Sequence, residues 1–294
     1  MPISWFPCSG CGSVLEPVEL DGAVDHVLAA VLATRGADFN NYQRPFVIRR
    51  LRRVADRHRM NGGVTELAAR VGENPLLVDD VIDSLSLGFT HLFRDPGMWA
   101  TLRSDVLPAF DSRTLVRAWV AGAATGEEAY SLAITLVESG LSPQRFRIYA
   151  TDINEQSLAQ ARAGFVAPDR ISAGNHDYLA SGGTAALADY FPISGGGSTG
   201  EEPLFDRTLS ERIVFARHNL ASDASFNSFD LILCRNVLIY FNAELHARVH
   251  EILFESLVPG GVLGLGSRES SRGSAHARQL DTIDQRSRLY RRKW

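Results

Sequence analysis

From residue 114 onward the chain alternates short apolar runs with stretches of helical period. That alternation restricts it to a parallel sheet whose strands are joined by crossover helices. Residues 115–120 form an apolar run closed by Gly122, and a helix-like stretch follows over 127–137. The next run, 146–150, ends on the polar pair Thr151-Asp152, and helical spacing returns over 155–162. The pattern resumes with 229–234, a helix near 243–257, a turn at Pro259-Gly260-Gly261 and the run 262–266; residues 286–292 supply a candidate last edge strand. The expected class is α/β, with a doubly wound sheet.

Between 164 and 219 the rhythm breaks. Ser181-Gly182-Gly183 and residues 194–202 are Gly/Ser-rich punctuation, with short candidate strands at 190–193, 204–206 and 213–215. An insertion over 165–215 carrying a small antiparallel element is expected.

Ahead of the sheet the texture is all helical. Val24, Val27, Leu28, Val31 and Leu32 recur at helical spacing, as do Phe46, Val47, Leu51 and Val54. Leu67, Val71, Leu76, Leu77, Val81, Ile82 and Leu85 continue the pattern, and Asn74-Pro75 reads as a helix start. The division expected is a flexible tail (1–20), a helical N-terminal domain (21–95) and a sheet domain (96–294).

Composition excludes several functions. Lys+Arg is 30 against Asp+Glu 34, a net charge of −4, which argues against a nucleic-acid partner. No apolar run reaches the ~18 residues of a membrane span, and residues 1–12 lack the pattern of a secretion signal. Three cysteines cannot build a disulfide framework and suit a reducing cytoplasm. Cys8 and Cys11 have the spacing of half a zinc site without a second half, so no metal is expected.

The chemistry-bearing positions fall where apolar runs end. Gly122-Ala123-Ala124-Thr125-Gly126-Glu127-Glu128 follows a run and opens a helix, but it matches no phosphate-cradling motif. Two acids at the helix start repel phosphate and suit a cationic ligand, although they also complement the helix dipole. Asp152 stands where an acid holds a ribose diol, or caps the next helix. Together the two describe a nucleoside with a cationic portion, which fits S-adenosylmethionine. His218-Asn219-Leu220 and Cys234-Arg235-Asn236-Val237-Leu238-Ile239-Tyr240-Phe241 close two further runs. Asn219 alone reads as a turn residue, and Tyr240 alone as a buried ring. Phe89-Thr90-His91-Leu92-Phe93-Arg94-Asp95-Pro96 lies at the junction of the two halves, where ligand clefts form.

These stretches together resemble the CheR-type protein-glutamate O-methyltransferases of bacterial chemotaxis, over residues 24–290. The resemblance implies a Rossmann-like S-adenosylmethionine methyltransferase domain with an inserted β-subdomain, preceded by a small helical domain. It implies that Thr90 and Arg94 line the cofactor site near the sulfonium, and that Glu128 meets the amino-acid moiety or ribose side, with Glu127 a weaker substitute. Asp152 takes the ribose, with Ile153 beside it, and Gly122 and Ala123 form the backbone wall. Asn219 and Leu220 sit by the adenine, Arg235 and Asn236 complete the pocket, and Tyr240 faces the transferred methyl. Arg94 and Tyr240 are the catalytic candidates.

The implied reaction moves a methyl group from S-adenosylmethionine to glutamate carboxylates on the cytoplasmic helices of methyl-accepting chemoreceptors, leaving S-adenosylhomocysteine. A cytoplasmic monomer is expected. A free glutamate, with a pKa of about 4.3, is already ionised at neutral pH, so no general base is required. Two rival readings keep the cofactor: transfer to another acceptor, and a regulatory module that binds without transferring. Departures from the family pattern are Gly88 where Asn is usual, Leu92-Phe93 for paired phenylalanines, Gly122-Ala123-Ala124 and Ser267-Arg268-Glu269. The basic stretch Arg44, Arg49, Arg50, Arg52, Arg53, Arg57 and Arg59 reads either as a solvated helix face or as a docking surface for an acidic partner.

Overall fold

The structure, a computed structural model, describes residues 17–86, 90–194 and 202–294. The readings placed on Cys8, Cys11, Gly88 and Phe89, and most of the Gly-rich tip after 194, lie outside the described residues.

Four helices come first: α1 (Pro17–Arg35), α2 (Arg44–Arg57), α3 (Gly63–Val71) and α4 (Pro75–Leu85). Most of the periodic apolar positions seen in the sequence are their shared core, with Val24, Val27, Val31, Leu51, Val54, Leu67, Val71 and Val81 fully enclosed, whereas Leu32 and Leu76 are exposed. Asn74 caps α4 by accepting from the N–H groups of Leu76 and Leu77. α1 begins at Pro17, so the last residues assigned to the tail are helical.

The rest is built on a sheet flanked by helices. Its strands are β1 (Val116–Ala121), β2 (Phe146–Asp152), β5 (Ile213–Arg217), β6 (Phe229–Cys234), β7 (Leu257–Leu265), β8 (Leu280–Asp284) and β9 (Leu289–Arg292). A separate pair, β3 (Ile193–Ser194) and β4 (Glu202–Pro203), is antiparallel. The helices are α5 (Pro96–Thr101), α6 (Glu127–Glu138), α7 (Glu155–Ala163), α8 (Pro168–Ala180), α9 (Arg207–Ser210) and α10 (Ala243–Glu255). The main sheet has seven strands in the order β5-β2-β1-β6-β7-β9-β8. β1, β2, β5, β6 and β7 are mutually parallel. Every residue of β6 is buried, as expected of a strand covered on both faces. The chain runs outward from β1 to β2 to β5 and then returns to β6 beside β1. The order therefore reverses between β1 and β6, and a crevice opens above their carboxyl ends.

Four expectations need correction. Residues 213–215 belong to β5, which pairs in parallel with β2, rather than to the antiparallel insertion. The largest element of the insertion is α8, whose apolar positions (Ile171, Tyr178) are too sparse to announce a helix; the expected antiparallel element is the short pair β3–β4, which takes in only Ile193 of the candidate strands, while Tyr190 ends a 3-10 turn and Leu204 makes a single bridge to Phe165. Pro259-Gly260-Gly261 does not turn the chain but lies inside β7, with Gly260 at φ +75 and a register shift opposite Phe229/Leu231. The last strand, β9, lies inside the sheet between β7 and β8, and β8 is the edge. Among the described residues no helix is long and apolar enough to cross a membrane.

The helical segment is bonded directly to the rim of the sheet. Gln43 N–H donates to Tyr240 O at 2.8 Å, and Asn242 N–H to Asn41 O at 2.9 Å. The rings of Phe46 and Tyr240 lie 4.7 Å apart. The loop between α1 and α2 and the loop after β6 thus form one continuous wall over the crevice.

Candidate active site

After β1 the backbone turns at Gly122, where φ is +78 and an added Cβ would stand 2.4 Å from Val237 Cγ2, so only glycine fits. The N–H groups of Gly122 and Ala123 both donate to Thr151 O, tying this turn to the end of β2. Ala124 N–H then donates to Asp152 Oδ2 at 2.9 Å.

Asp152 is buried, and Oδ1 accepts from Asn154 N–H at 2.9 Å. Burial raises its pKa, opposed by these backbone donors. Each carboxylate oxygen holds one backbone N–H and keeps lone-pair capacity for a ligand hydroxyl. Asn154 fastens this end of β2 to the helical segment: its Nδ2 donates to Asp83 Oδ1 at 2.7 Å and to Ser86 Oγ at 2.9 Å.

The two acids that open α6 have separate partners. Glu127 pairs with Arg170 of α8 at 2.5 Å, and Arg170 also donates to Thr90 O. Glu127 is thus committed to holding α8 and the junction loop. Glu128 faces the crevice and pairs with Arg235 at 2.8 Å. Arg235 also reaches Asp95 Oδ2 at 2.7 Å and lies over the Trp99 ring. Burial raises the pKa of Glu128, and Arg235 opposes the rise. The loop after β6, with Asn236 at φ +61, is held by Glu269. Its buried carboxylate accepts from Asn236 N–H at 2.9 Å, Leu238 N–H at 2.8 Å and Gly266 N–H at 2.6 Å.

These elements line one open cleft. Thr90, Arg94, Gly122, Glu128, Asp152, Ile153, Asn219, Leu220, Arg235, Asn236 and Tyr240 all line it. Ala123 does not; it is buried behind the turn, with its N–H spent on Thr151. Lining residues outside the chemistry-bearing stretches of the sequence are Tyr42, from the loop before α2, and Leu85, Ser86 and Ala221; His218, Ala124, Val237 and Phe241 belong to those stretches but had no role assigned. No local signal marks Tyr42, because it reaches the cleft only through the pairing of its loop with Phe241. Burial and the nearby Asp152 carboxylate hold the Tyr42 phenol neutral.

Two features stand out chemically. Arg94 is half-buried in the cleft wall, and among the described residues its guanidinium has no ion pair within 4 Å. Asn219 Oδ1 accepts from Ala221 N–H, leaving Nδ2 buried without a partner. No group of three His, Cys, Asp or Glu among the described residues is placed to hold a metal ion.

A doubly wound sheet with a free-lone-pair aspartate at its second strand, and no phosphate cradle at its first, defines a nucleoside-cofactor enzyme of the S-adenosylmethionine-dependent methyltransferase class. The chain belongs to the CheR methyltransferase family: the family model described as "CheR methyltransferase, SAM binding domain" matches residues 88–287. It is 34% identical over 266 residues to a Pseudomonas putida protein provisionally named methyltransferase Cher3, covering 90% of this chain and 95% of that one. It is 32% identical over 211 residues to a chemotaxis protein methyltransferase of Listeria innocua, covering 69% and 73% of the two chains. Similarity to chemotaxis protein methyltransferase 1 of Pseudomonas aeruginosa is 32% over 202 residues, or 65% and 69% of the chains. The cofactor is therefore S-adenosylmethionine. The cleft suits it: the unpartnered Asn219 amide and the spare lone pairs of Asp152 offer bonds that a nucleoside completes.

Proposed function

We propose that this chain methylates glutamate side chains on the cytoplasmic helices of chemoreceptor-type proteins, forming glutamyl methyl esters. The observation that carries the reading is the unpaired Arg94 guanidinium in the cleft wall, beside an Arg235 already occupied by Glu128 and Asp95. A half-buried guanidinium without a carboxylate of its own suits a carboxylate brought by a substrate.

Bound in the cleft, S-adenosylmethionine supplies an electrophilic methyl on a positively charged sulfur. Asp152 accepts from the ribose diol, and Asn219 with Leu220 holds the base. Glu128 is placed for the amino-acid end, its charge balanced by Arg235. Arg94 orients the incoming carboxylate by charge-assisted hydrogen bonds, while Thr90 and the Tyr240 hydroxyl border the approach. No proton need be removed from an ionised carboxylate, so these residues act by placement, a contribution of up to roughly 7–11 kcal/mol. The unpaired Arg94 also favours transfer over mere cofactor binding.

The charged face of α2 supports an acidic partner. Arg49, Arg52, Arg53 and Arg57, with Arg59 just beyond the helix, are exposed and, among the described residues, make no ion pairs, whereas Arg44 is tied to Asp21 and Asp25. A receptor helix bundle rich in glutamate is complementary to such a face.

The test is transfer of a labelled methyl group to a receptor cytoplasmic fragment, followed by alkaline hydrolysis. Base-labile label released as methanol, and lost when the receptor glutamates are replaced by alanine, is expected. Base-stable label, or label that survives those replacements, overturns the proposal.

A further inference from the structure

Beyond the reacting end of the cleft lies a second group of arginines that no internal acid neutralises. The sheet order puts β7 and β9 next to β6, on the side away from β1. β9 runs antiparallel to β7, so the loop after β7 and the turn before β9 both emerge at the edge where the cleft opens. They carry Arg268, Arg272, Arg286 and Arg288. The two segments are bonded to each other: Arg288 Nε donates to Ser267 O at 3.4 Å, and Arg272 Nη2 to Gln285 Oε1 at 3.2 Å. Arg268, Arg272 and Arg286 are exposed, and among the described residues none of the four makes an ion pair within 4 Å. The neighbouring acids are engaged elsewhere. Glu269 accepts from backbone N–H groups, Asp95 pairs with Arg235, and Asp284 accepts from Ser287 N–H at 2.7 Å.

A groove joins this rim to the reaction centre. Asp95, Arg235, Ser267 and Arg286 line it, and Arg235 lines the main cleft as well, beside Arg94. The chain carries a net charge of −4, so a cationic rim here is not a general property of the surface. Its counterpart is the arginine face of α2, which reaches the cleft from the other side: Arg49 and Arg50 lie over the Phe46 ring, and Phe46 packs on Tyr240 at 4.7 Å. The loop after β6 stands between the two arginine groups. No large apolar side chain is exposed between residues 265 and 290, so this rim lacks the residues that insert into a bilayer, and a partner is held there by charge. An α-helix advances about 5.4 Å per turn. A helix that presents one glutamate to Arg94 therefore carries acids from its adjoining turns out over both rims.

We infer that the arginine rim on the loop after β7 and the β8–β9 turn is a second docking surface for the acidic helical protein that delivers the substrate carboxylate, so that the acceptor is held on both sides of the cleft. The inference deepens the proposed function and rests on it for the identity of the partner.

The experiment uses the full chain and a lipid-free receptor cytoplasmic fragment, at low and at high salt. Binding is read by fluorescence anisotropy of the labelled fragment, and methyl transfer by initial rates. The test variant combines Arg268→Glu, Arg272→Glu and Arg286→Glu; a control replaces the same three residues with lysine. At low salt the glutamate variant is expected to bind the fragment about tenfold more weakly and to show a KM raised by a similar factor. Its kcat and its affinity for S-adenosylhomocysteine are expected to move by about twofold at most, since none of the three lines the main cleft. The difference should shrink at 1 M salt, where the Debye length is about 3 Å. The lysine variant keeps the charge and should bind as the unsubstituted protein does. Combined with reversal of Arg49, Arg52 and Arg53, the fold-losses should multiply, because separate contacts to one partner add in free energy.

Unchanged binding and KM at low salt overturn the inference. So does a loss that salt does not diminish, or one that the lysine variant shares, because either marks a defect of shape. Capture by phosphatidylglycerol vesicles that the glutamate variant loses, with fragment binding intact, would assign the rim to a membrane and overturn it too. If the glutamate variant fails to fold, alanine at the same three positions decides by the same criteria. An unsubstituted protein that binds the fragment through this rim but transfers no methyl group would overturn the proposed function and keep the docking surface. One that neither binds nor methylates the fragment overturns both.

Discussion

Arg235 and Glu128 meet at 2.8 Å with side chains only 1% and 10% exposed, an ion pair placed at the switch between β6 and α6. Removing one partner of a buried pair leaves the other charged and unsolvated, which costs about 3–5 kcal/mol. Arg235→Ala is therefore expected to destabilise the fold on that scale in chemical denaturation, and Arg235→Ala with Glu128→Gln by less than the sum. Burial already raises the Glu128 pKa, and loss of the arginine raises it further. A carboxyl whose folded pKa lies above its unfolded one gains stability as pH falls through the folded value. The defect of Arg235→Ala should then shrink on acidification. A defect under about 1 kcal/mol that ignores pH would show that the pair is not structural.

Arg94 should behave differently, because among the described residues it makes no ion pair and only adds its field to that of Arg235 at Glu128. Losing one charge-assisted hydrogen bond to a substrate carboxylate corresponds to roughly 1.5–3 kcal/mol, or about 10- to 150-fold in rate. Arg94→Ala is expected to lose that much methyl transfer with little change in melting temperature or in affinity for S-adenosylhomocysteine. Tyr240→Phe keeps the ring against Phe46 and is expected to cost turnover more than cofactor affinity. Full methylation rates in both variants would remove the two residues from the reaction.

Asp152 sets a pH limit on cofactor binding. Its pKa is raised from 3.8 by burial, and hydroxyl donors prefer the ionised carboxylate. Affinity for S-adenosylhomocysteine should be flat well above the raised value and fall as pH drops through it, with proton release on binding in that window. Asp152→Ala should weaken binding by about 1.5–3 kcal/mol and abolish this pH dependence. Calorimetry across pH checks both, and a variant with the original affinity would sever Asp152 from the cofactor.

If the arginine face of α2 docks the substrate, its effect must be electrostatic and long-ranged. Replacing Arg49, Arg52 and Arg53 with glutamate is expected to slow receptor methylation strongly at low salt and less at high salt, where the Debye length falls to about 3 Å at 1 M. Cofactor affinity should not change, because none of these arginines lines the cleft. A rate unaffected at low salt would leave α2 an ordinary solvated face.

Much of this site could be read before the fold was known, for a physical reason. β6 is buried throughout and β1 and β2 are mostly buried, so they appear as largely apolar runs, and the residues that follow each run fall at a carboxyl edge where ligands bind. What stayed hidden depends on partners distant in the chain. Arg235 lies 107 residues from Glu128 and 140 from Asp95, and no local pattern couples them. Tyr42 enters the cleft only because its loop pairs with Phe241. β5 is only partly buried, so its short run looked like one arm of a hairpin until β2 claimed it. α8 was missed because its buried face holds little beyond Ile171, Gly174 and Tyr178.

Glu269 was noted in the sequence only as part of a late Ser-Arg-Glu departure, yet its carboxylate organises the loop bearing Asn236 and Tyr240. It accepts backbone N–H groups from the ends of two neighbouring strands, Asn236 and Leu238 after β6 and Gly266 after β7. Gly266 leaves no room for change, since an added Cβ would stand 2.6 Å from Glu269 Oε2 and 2.8 Å from Asn236 N. Glu269→Gln preserves shape but turns one acceptor into a donor facing backbone donors. Hydrogen bonds to charged groups contribute about 1.5–3 kcal/mol each, so a destabilisation of at least about 2 kcal/mol is expected. The loop would also lose its register, and methyl transfer should fall further than cofactor affinity, because Tyr240 borders the reacting end while Asp152 and Asn219 are held by other strands. Denaturation and single-turnover transfer measured on the same preparation separate the two effects. A glutamine variant as stable and as fast as the parent would mean that the loop holds its shape without the carboxylate.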